Sequence, residues 1–105
     1  MANNKKTNTD SINYKYNEGE LLSEFKEYVD KTYSAHYSLN KFQATEFIMD
    51  SGHGEGFCIG NILKYAQRYG KKDGTNRADL LKVIHYGFLA LHNHDVTQSS
   101  KSKEL

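Results

Sequence analysis

Hydrophobic residues recur every three or four positions through the middle of this chain, which is the spacing of one helix face. Between Glu20 and Tyr33 the apolar positions are Leu21, Leu22, Phe25, Tyr28, Val29 and Tyr33. Glu18 and Glu20 stand at the start of this run, and acidic side chains stabilise the positive N-terminal end of a helix. The pattern therefore predicts a first amphipathic helix over this segment.

A second helix is predicted over residues 40–50, with Asn40 as its N-cap and Ser51-Gly52 at its end. Its apolar positions are Phe42, Phe47, Ile48 and Met49. The segment from Gly52 to Gly56 is then predicted to be a flexible connector. Glycine amides at a helix N-terminus also bind anions, but no strand precedes these glycines as in a dinucleotide fingerprint, which favours a hinge.

A third helix is predicted over residues 57–69, ended by Gly70 in a left-handed conformation. Its buried stripe is predicted to consist of Cys58, Ile62, Tyr65, Ala66 and Tyr69. After a short polar turn, Asn76 or Thr75 caps a fourth helix that runs to about Asn93. The predicted apolar side of this helix comprises Leu80, Leu81, Val83, Ile84, Phe88 and Leu91.

These elements predict an all-α fold, a small bundle of about four helices. Because the turn between the third and fourth helices is short, these two helices are expected to form an antiparallel hairpin over about 57–93. The polar segments at the two ends are predicted to be disordered, as a flexible arm over 1–17 and a flexible tail over 95–105. The helical domain then covers residues 18–94.

The length of 105 residues limits the core that the chain can form alone, so a homo-oligomer is expected, of unspecified stoichiometry. A net charge of +1 makes nucleic acid an unlikely partner, since such binders carry a basic excess. Contact of single-stranded DNA with the arm, through Lys5, Lys6, Tyr14 and Tyr16, is a minor alternative. One cysteine and no apolar run of about 20 residues predict a cytoplasmic protein without membrane contact.

A phosphate site is predicted on the third helix. Asn61, Lys64, Arg68 and Lys71 follow one another at intervals of three and four, which places them on one helix face, and Lys72 follows. Cations and an amide on one helix face are suited to binding an anion. The alternative is an ordinary solvated face of a charged helix.

The fourth helix carries a matching set at the same intervals, namely Asp79, Lys82 and Tyr86. Antiparallel pairing is expected to place the two sets along one cleft. We expect Asp79 to orient Arg68, the lysines to neutralise phosphate, and a tyrosine ring to stack on a base or sugar. The alternative is a network of salt bridges that only holds the two helices together.

Other chemical motifs give weaker signals. No segment matches the Gly-x-x-x-x-Gly-Lys-Ser/Thr pattern of a P-loop. Glu46 and Asp50 are spaced by four, as in helical nucleotide pyrophosphohydrolases, but no second acidic pair accompanies them. His92 and His94 fall near the predicted end of the fourth helix, where they interact with its negative end. No metal site is therefore predicted.

The block from His36 to His92 resembles a known family of small domains. The matching residues are His36-Tyr37, Glu46, Gly60-Asn61, Lys64-Tyr65, Arg68, Lys71-Lys72-Asp73, Asp79-Leu80, Lys82 and Tyr86. The family is mostly phage-encoded and of unknown function, and it includes a nucleoside monophosphate kinase without a P-loop.

The resemblance implies a nucleotide as ligand, with Tyr37, Tyr65 and Tyr86 beside the cations. It also implies ATP as a phosphoryl donor and the cytoplasm of an infected host cell as the location. Lys64, Arg68, Lys82 and His36 are then the candidate catalytic residues, the last as a phosphate contact or an acid or base near neutral pH. A structural hydrogen-bonding role for His36 is an equal alternative.

Three hypotheses about function follow. The first is a nucleotide-binding phage protein of kinase-like activity in phage nucleotide metabolism. The second is a non-catalytic phage protein that sequesters a signalling nucleotide or inhibits a host enzyme, through the same cationic cleft. The third is a structural or interaction protein, in which the charged block only joins the helices.

Overall fold

The computed structural model describes residues 12–34 and 38–104, with side chains for 12–34 and 41–99. His36 and Tyr37 lie outside the described residues, as does most of the predicted N-terminal arm. The described chain is helical and contains no β-strand, which confirms the predicted all-α class. It divides into two compact units, with the boundary after Ser34. None of the described helices is long and apolar enough to cross a lipid bilayer.

The first unit contains helix α1, Glu18–Ser34. Asn17 precedes it with a left-handed φ of 65°, and its carbonyl accepts a hydrogen bond from Leu21 N at 3.0 Å. Glu18 and Glu20 lie in the first turn, as predicted. Phe25 is the buried residue of this helix, and its ring stacks on Tyr28 with centroids 6.1 Å apart.

The second unit begins with α2, Ser38–Ile48, and α3, Gly54–Arg68. The segment between them, Met49–His53, is a π-helical turn in which Gly52 adopts a φ of 92°. Glycine reaches this conformation without the steric cost that a Cβ brings. Because the chain passes through this kink without a loop, α2 and α3 form one bent helical segment.

Three predictions about this region are therefore wrong. The described chain has three uninterrupted helical segments rather than four separate helices. The predicted connector is also mostly helical, since α3 begins at Gly54 and not at Phe57. In addition, α2 begins at Ser38, so Asn40 lies inside the helix and is not its N-cap.

The turn after α3 is built around a left-handed glycine, as predicted. Tyr69 has φ −57° and ψ 125°, Gly70 has φ 87°, and Lys71 N donates to Arg68 O at 2.8 Å. These values define a type II turn, whose third position requires a positive φ. Asn76 then caps the last helix, because its side-chain Oδ1 accepts a hydrogen bond from Ala78 N at 3.0 Å.

Helix α4, Arg77–Glu104, packs against α3 as the predicted antiparallel hairpin. Gly54, at the start of α3, lies so close to Asn93 that a Cβ at position 54 would overlap the asparagine side chain. Cys58, one turn further along α3, is wholly buried. These close contacts fix the spacing of the two helices beside the candidate site.

Helix α4 continues to Glu104, through the segment predicted to be a disordered tail. No glycine or proline follows Gly87, so the sequence contains no residue that ends the helix. Four residues of the predicted apolar side of α4 are exposed, namely Leu80, Ile84, Phe88 and Leu91. The predicted buried stripe of the third helix is wrong in part, since Ala66 on α3 and Tyr69 just after it are exposed. Among the described residues, the buried hydrophobic side chains are Phe25 and Cys58.

Candidate functional site

The ring of Tyr65 lies at the centre of a cluster of positive charges. Lys64 Nζ is 4.8 Å from its centroid, Arg68 Cζ is 5.1 Å away, and Lys82 Nζ is 5.6 Å away. Two of these cations come from α3 and the third from α4. The hairpin therefore brings together members of both predicted sets, Lys64 and Arg68 from α3 and Lys82 from α4.

Aromatic rings extend the site along the hairpin. Tyr86 stacks on Tyr65, with centroids 6.0 Å apart and planes 11° from parallel. Phe57 meets Tyr86 edge-on at 5.8 Å. Offset stacking and edge contacts are the favoured arrangements of aromatic pairs. The three rings give the cationic cluster an apolar side of defined geometry.

The three cations have no carboxylate partner among the residues whose side chains the structure describes. In the described part of the chain, no ion pair joins Lys64, Arg68 or Lys82 to an acidic side chain. The ring faces attract them, since the quadrupole of tyrosine is negative over its plane, but like charges held this close also repel one another. An anion would relieve that repulsion, so the electrostatics favour an anionic ligand.

Asp79 lies in the first turn of α4 and is buried, with only 4% of its surface exposed. Its Oδ2 atom has no hydrogen-bond partner among the described residues. The prediction that Asp79 orients Arg68 is therefore not supported at this oxygen, because Arg68 lies over the Tyr65 ring instead. The alternative of an inter-helix salt-bridge network receives no support from this part of the chain either.

The remaining predicted residues divide into three cases. The side-chain amide of Asn61 donates from Nδ2 to Phe57 O at 2.8 Å, so this donor is engaged within its own helix. Lys71 and Lys72 lie exposed in the turn, with their backbone N–H groups on Arg68 O. Neither is among the cations around the Tyr65 ring. His36 and Tyr37 lie outside the described residues.

A cavity of about 210 Å³ lies between the kink and α4. It is lined by Glu46, Met49, Asp50, His92, Asn93 and Val96. The spacing of Glu46 and Asp50 by four was the feature of the sequence that pointed to this cavity. Nothing in the sequence indicated that α4 lies opposite these two residues. The described residues include no group of three or more His, Cys, Asp and Glu side chains that could hold a metal ion.

Two titratable groups in this unit are shifted by burial. The pKa of half-buried His85 is lowered from 6.5 by desolvation and, secondarily, by the positive charge of Lys41 on α2. Both effects disfavour the charged imidazolium. Burial also raises the pKa of the Cys58 thiol, so this cysteine resists conversion to the reactive thiolate.

Comparison with known proteins identifies a family for this chain. The model of a family of proteins of unknown function, DUF3310, matches residues 31–87, which is more than half of the sequence. The chain belongs to the DUF3310 family. No curated protein matches it, and no solved structure does.

The DUF3310 match distinguishes the cluster around Tyr65 from the cavity beside the kink. It includes every residue of the cluster, from Phe57 to Tyr86. It stops before His92, Asn93 and Val96, which form the α4 side of the cavity. The predicted family block, about 36–92, overlaps most of the matched range. The cationic cluster is therefore the candidate site that lies within the family domain.

Proposed function

We propose that this DUF3310 protein binds a nucleotide on the α3–α4 hairpin. The observation that supports the proposal is the set of three cations, Lys64, Arg68 and Lys82, around the Tyr65 ring without a carboxylate partner among the described residues. Phosphate oxygens accept charge-assisted hydrogen bonds from lysine and arginine, and the planar guanidinium of Arg68 suits bidentate contact.

The tyrosines favour a nucleotide over inorganic phosphate. Tyr65 and Tyr86 are only half-buried, so their rings offer apolar surface next to the charges. Stacking of a base on an aromatic side chain contributes about 1–3 kcal/mol and tolerates any base. A ligand with a phosphate group and an aromatic ring satisfies both parts of the cluster at once.

The proposed reaction follows from the family resemblance: transfer of the γ-phosphoryl group of ATP to a nucleoside monophosphate, giving ADP and a nucleoside diphosphate, in phage nucleotide metabolism. Catalysis of this transfer depends on positioning and on stabilising the charge of the transferred group. Lys64, Arg68 and Lys82 are suited to that role, since they come from two helices and converge on one point. The cytoplasm of an infected cell is the location that goes with this proposal.

Calorimetric titration tests the binding step. Nucleoside mono-, di- and triphosphates and cyclic nucleotides are titrated into the wild-type protein and into Arg68→Ala and Lys82→Ala, with and without magnesium. Each variant loses one charge-assisted contact, so its affinity is expected to fall about tenfold or more.

Lys72→Ala is the matched control. It removes the same charge from the exposed turn rather than from the Tyr65 cluster, so its affinity is expected to change less than about threefold. Equal losses in Lys72→Ala and Lys82→Ala would refute the proposed site, as would a wild-type protein that binds none of the nucleotides while remaining folded.

Turnover separates the catalytic proposal from simple sequestration. The protein is incubated with ATP and each monophosphate, and the products are separated by ion-exchange chromatography. Formation of the diphosphate with loss of ATP supports the kinase-like reaction. Recovery of unchanged nucleotide from a protein that binds it favours a non-catalytic protein that sequesters nucleotides.

A further inference from the structure

A second regular pattern runs along α4, on the side away from α3. Residues spaced alternately by four and three form a seam, which consists of Arg77, Leu81, Ile84, Phe88, Leu91 and Asp95. This alternation is the seam of a coiled coil, in which such positions meet a second helix. The exposed fractions of Ile84, Phe88 and Leu91 are 45%, 53% and 62%, although all three are apolar.

The seam lies on the face of α4 opposite the hairpin contact. Tyr86 stacks on Tyr65 of α3, and Ile84 and Phe88 are each two residues from it. Two residues correspond to about 200° around a helix, so these side chains point away from α3. A helix with apolar residues on opposite faces is typical of buried helices. The hairpin covers the α3 face of α4, and the kink adjoins α4 at His92 and Val96, whereas Ile84 and Leu91 on the seam remain exposed.

We propose that the seam binds a second copy of this chain, with the two α4 helices antiparallel about a two-fold axis near residue 86. In that register Ile84 faces Phe88 of the partner subunit, and Leu81 faces Leu91 of the partner subunit. Arg77 faces Asp95 of the partner subunit. Each pair occurs twice, as the symmetry requires.

The opposite charges at the two ends of the seam favour a second copy of the chain as the partner, with its α4 helix running antiparallel. Arg77 and Asp95 are 18 residues apart, which is five helical turns, so both lie on the seam at about 27 Å from each other. An antiparallel pair places opposite charges together, whereas a parallel pair in register would place like charges together. A seam that complements itself in shape and in charge fits another copy of the same chain.

The small hydrophobic core independently favours association of two copies of the chain. Phe25 and Cys58 are the buried hydrophobic side chains of the described chain. Chains of this length bury a smaller share of their surface than larger domains do, and they often gain stability from association. Pairing of the α4 seams would remove Ile84, Phe88 and Leu91 from water in both copies.

Two substitutions of equally exposed leucines test the position of the interface. Leu91 in the seam is 62% exposed and Leu63 on α3 is 63% exposed, so lysine at either position has similar consequences for the isolated fold. Light scattering after size-exclusion chromatography is expected to give about twice the chain mass of 12.0 kDa for wild type and for Leu63→Lys. Leu91→Lys is expected to elute as a monomer, with unchanged helical circular dichroism.

The end charges test the antiparallel register without altering apolar packing. Arg77→Asp and Asp95→Arg, each alone, place like charges together at both ends, and dissociation constants from analytical ultracentrifugation are expected to rise about tenfold or more. An equimolar mixture of the two variants is expected to form a heterodimer of wild-type affinity, because both end pairs are then opposite in sign.

Three results would overturn the proposal. The first is a wild-type chain that is monomeric at about 100 μM, a concentration at which a dimer with a dissociation constant of about 10 μM is mostly formed. The second is a dimer that Leu63→Lys disrupts and Leu91→Lys does not. The third is a dimer that the charge substitutions weaken singly but whose affinity the mixture fails to restore.

Discussion

Asp79 combines burial with an unsatisfied oxygen. A buried acceptor without a hydrogen bond costs about 1–3 kcal/mol, whereas an acidic residue in the first turn of a helix gains about 0.3–1 kcal/mol from the helix dipole. Asp79 Oδ2 has no partner among the described residues, so the cost of burying it exceeds the gain from the helix dipole. We therefore expect Asp79→Leu to raise the free energy of unfolding of the ligand-free protein by about 1 kcal/mol.

Urea denaturation followed by circular dichroism measures this difference. Asp79→Asn is the control, because the amide keeps the shape of the side chain and a polar group at the same place. It is expected to stabilise the protein less than leucine does. A clear destabilisation by leucine would mean that the carboxylate has a partner in solution and that the cost assigned to it is wrong.

His85 gives stability a defined pH dependence. Its pKa is lowered in the folded protein, by burial first and by Lys41 second, from the ordinary value of 6.5. The unfolded chain therefore binds a proton more readily than the folded one as the pH falls through 6.5. Stability is expected to be complete above this pH and to decline from about pH 6.5 towards pH 5.

Urea midpoints measured between about pH 5 and pH 8 test this expectation. His85→Gln is expected to flatten the curve in the acidic part of the range. His94→Gln, at an exposed position of the same helix, is expected to keep the wild-type slope. Identical curves for wild type and His85→Gln would show that another group is responsible.

The sequence was sufficient to place the cations but not to pair the charges. Residues spaced by three and four share a helix face, and a short turn makes two helices antiparallel, so Lys64, Arg68 and Lys82 were expected to be neighbours. Helical spacing does not determine where a long cationic side chain points, because both ring faces and carboxylates attract its charged end. For that reason the contact of Arg68 with Tyr65, in place of Asp79, was not predictable.

At the level of elements, Gly54 controls how closely α3 approaches α4. A Cβ at this position would overlap the Asn93 side chain and approach Met49 Cγ to 3.2 Å. Gly54→Ala is therefore expected to lower the free energy of unfolding by about 1–3 kcal/mol, as overpacking of a buried contact does.

Two variants make this result specific, and all are compared by urea denaturation. Gly60→Ala, also within α3 but with nothing within 4 Å, is expected to stabilise the helix by about 0.5–1 kcal/mol. Asn93→Ala is expected to recover most of the loss when it is combined with Gly54→Ala, since it removes the overlapping side chain. Equal effects at positions 54 and 60 would exclude the steric explanation.

The glycines of this region illustrate why element boundaries were harder to predict than the elements. Three glycines in alternation indicated a flexible hinge, yet Gly52 provides a positive φ within a helical turn and Gly54 allows close packing. Neither requirement appears in the sequence, because the first depends on the backbone path through the kink and the second depends on α4 lying beside Gly54. The long extension of α4 is the opposite case: its polar composition suggested a tail, although nothing in it breaks a helix.

For the whole molecule, the limit of prediction was the question of which apolar faces are covered. Periodicity identified the apolar residues of α4 and placed Ile84 and Leu91 on one side of the helix. The hairpin covers the other side, where Tyr86 and Asn93 contact α3. An amphipathic pattern indicates that a face needs a partner but does not identify the partner, so the sequence left open what covers Ile84 and Leu91.

Cys58 is wholly buried and is the single cysteine of the chain, so its reaction with a thiol reagent can report local opening of the protein. Cys58 follows Gly54 by four residues and therefore shares its helix face, and Gly54 lies against Asn93 of α4. A thiol reagent is therefore expected to reach the sulfur only while the two helices are apart. The labelling rate then reports how often the hairpin separates, without any engineered probe. A ligand that contacts both helices would lower the labelling rate of Cys58, whereas a ligand that contacts α3 alone would leave that rate unchanged.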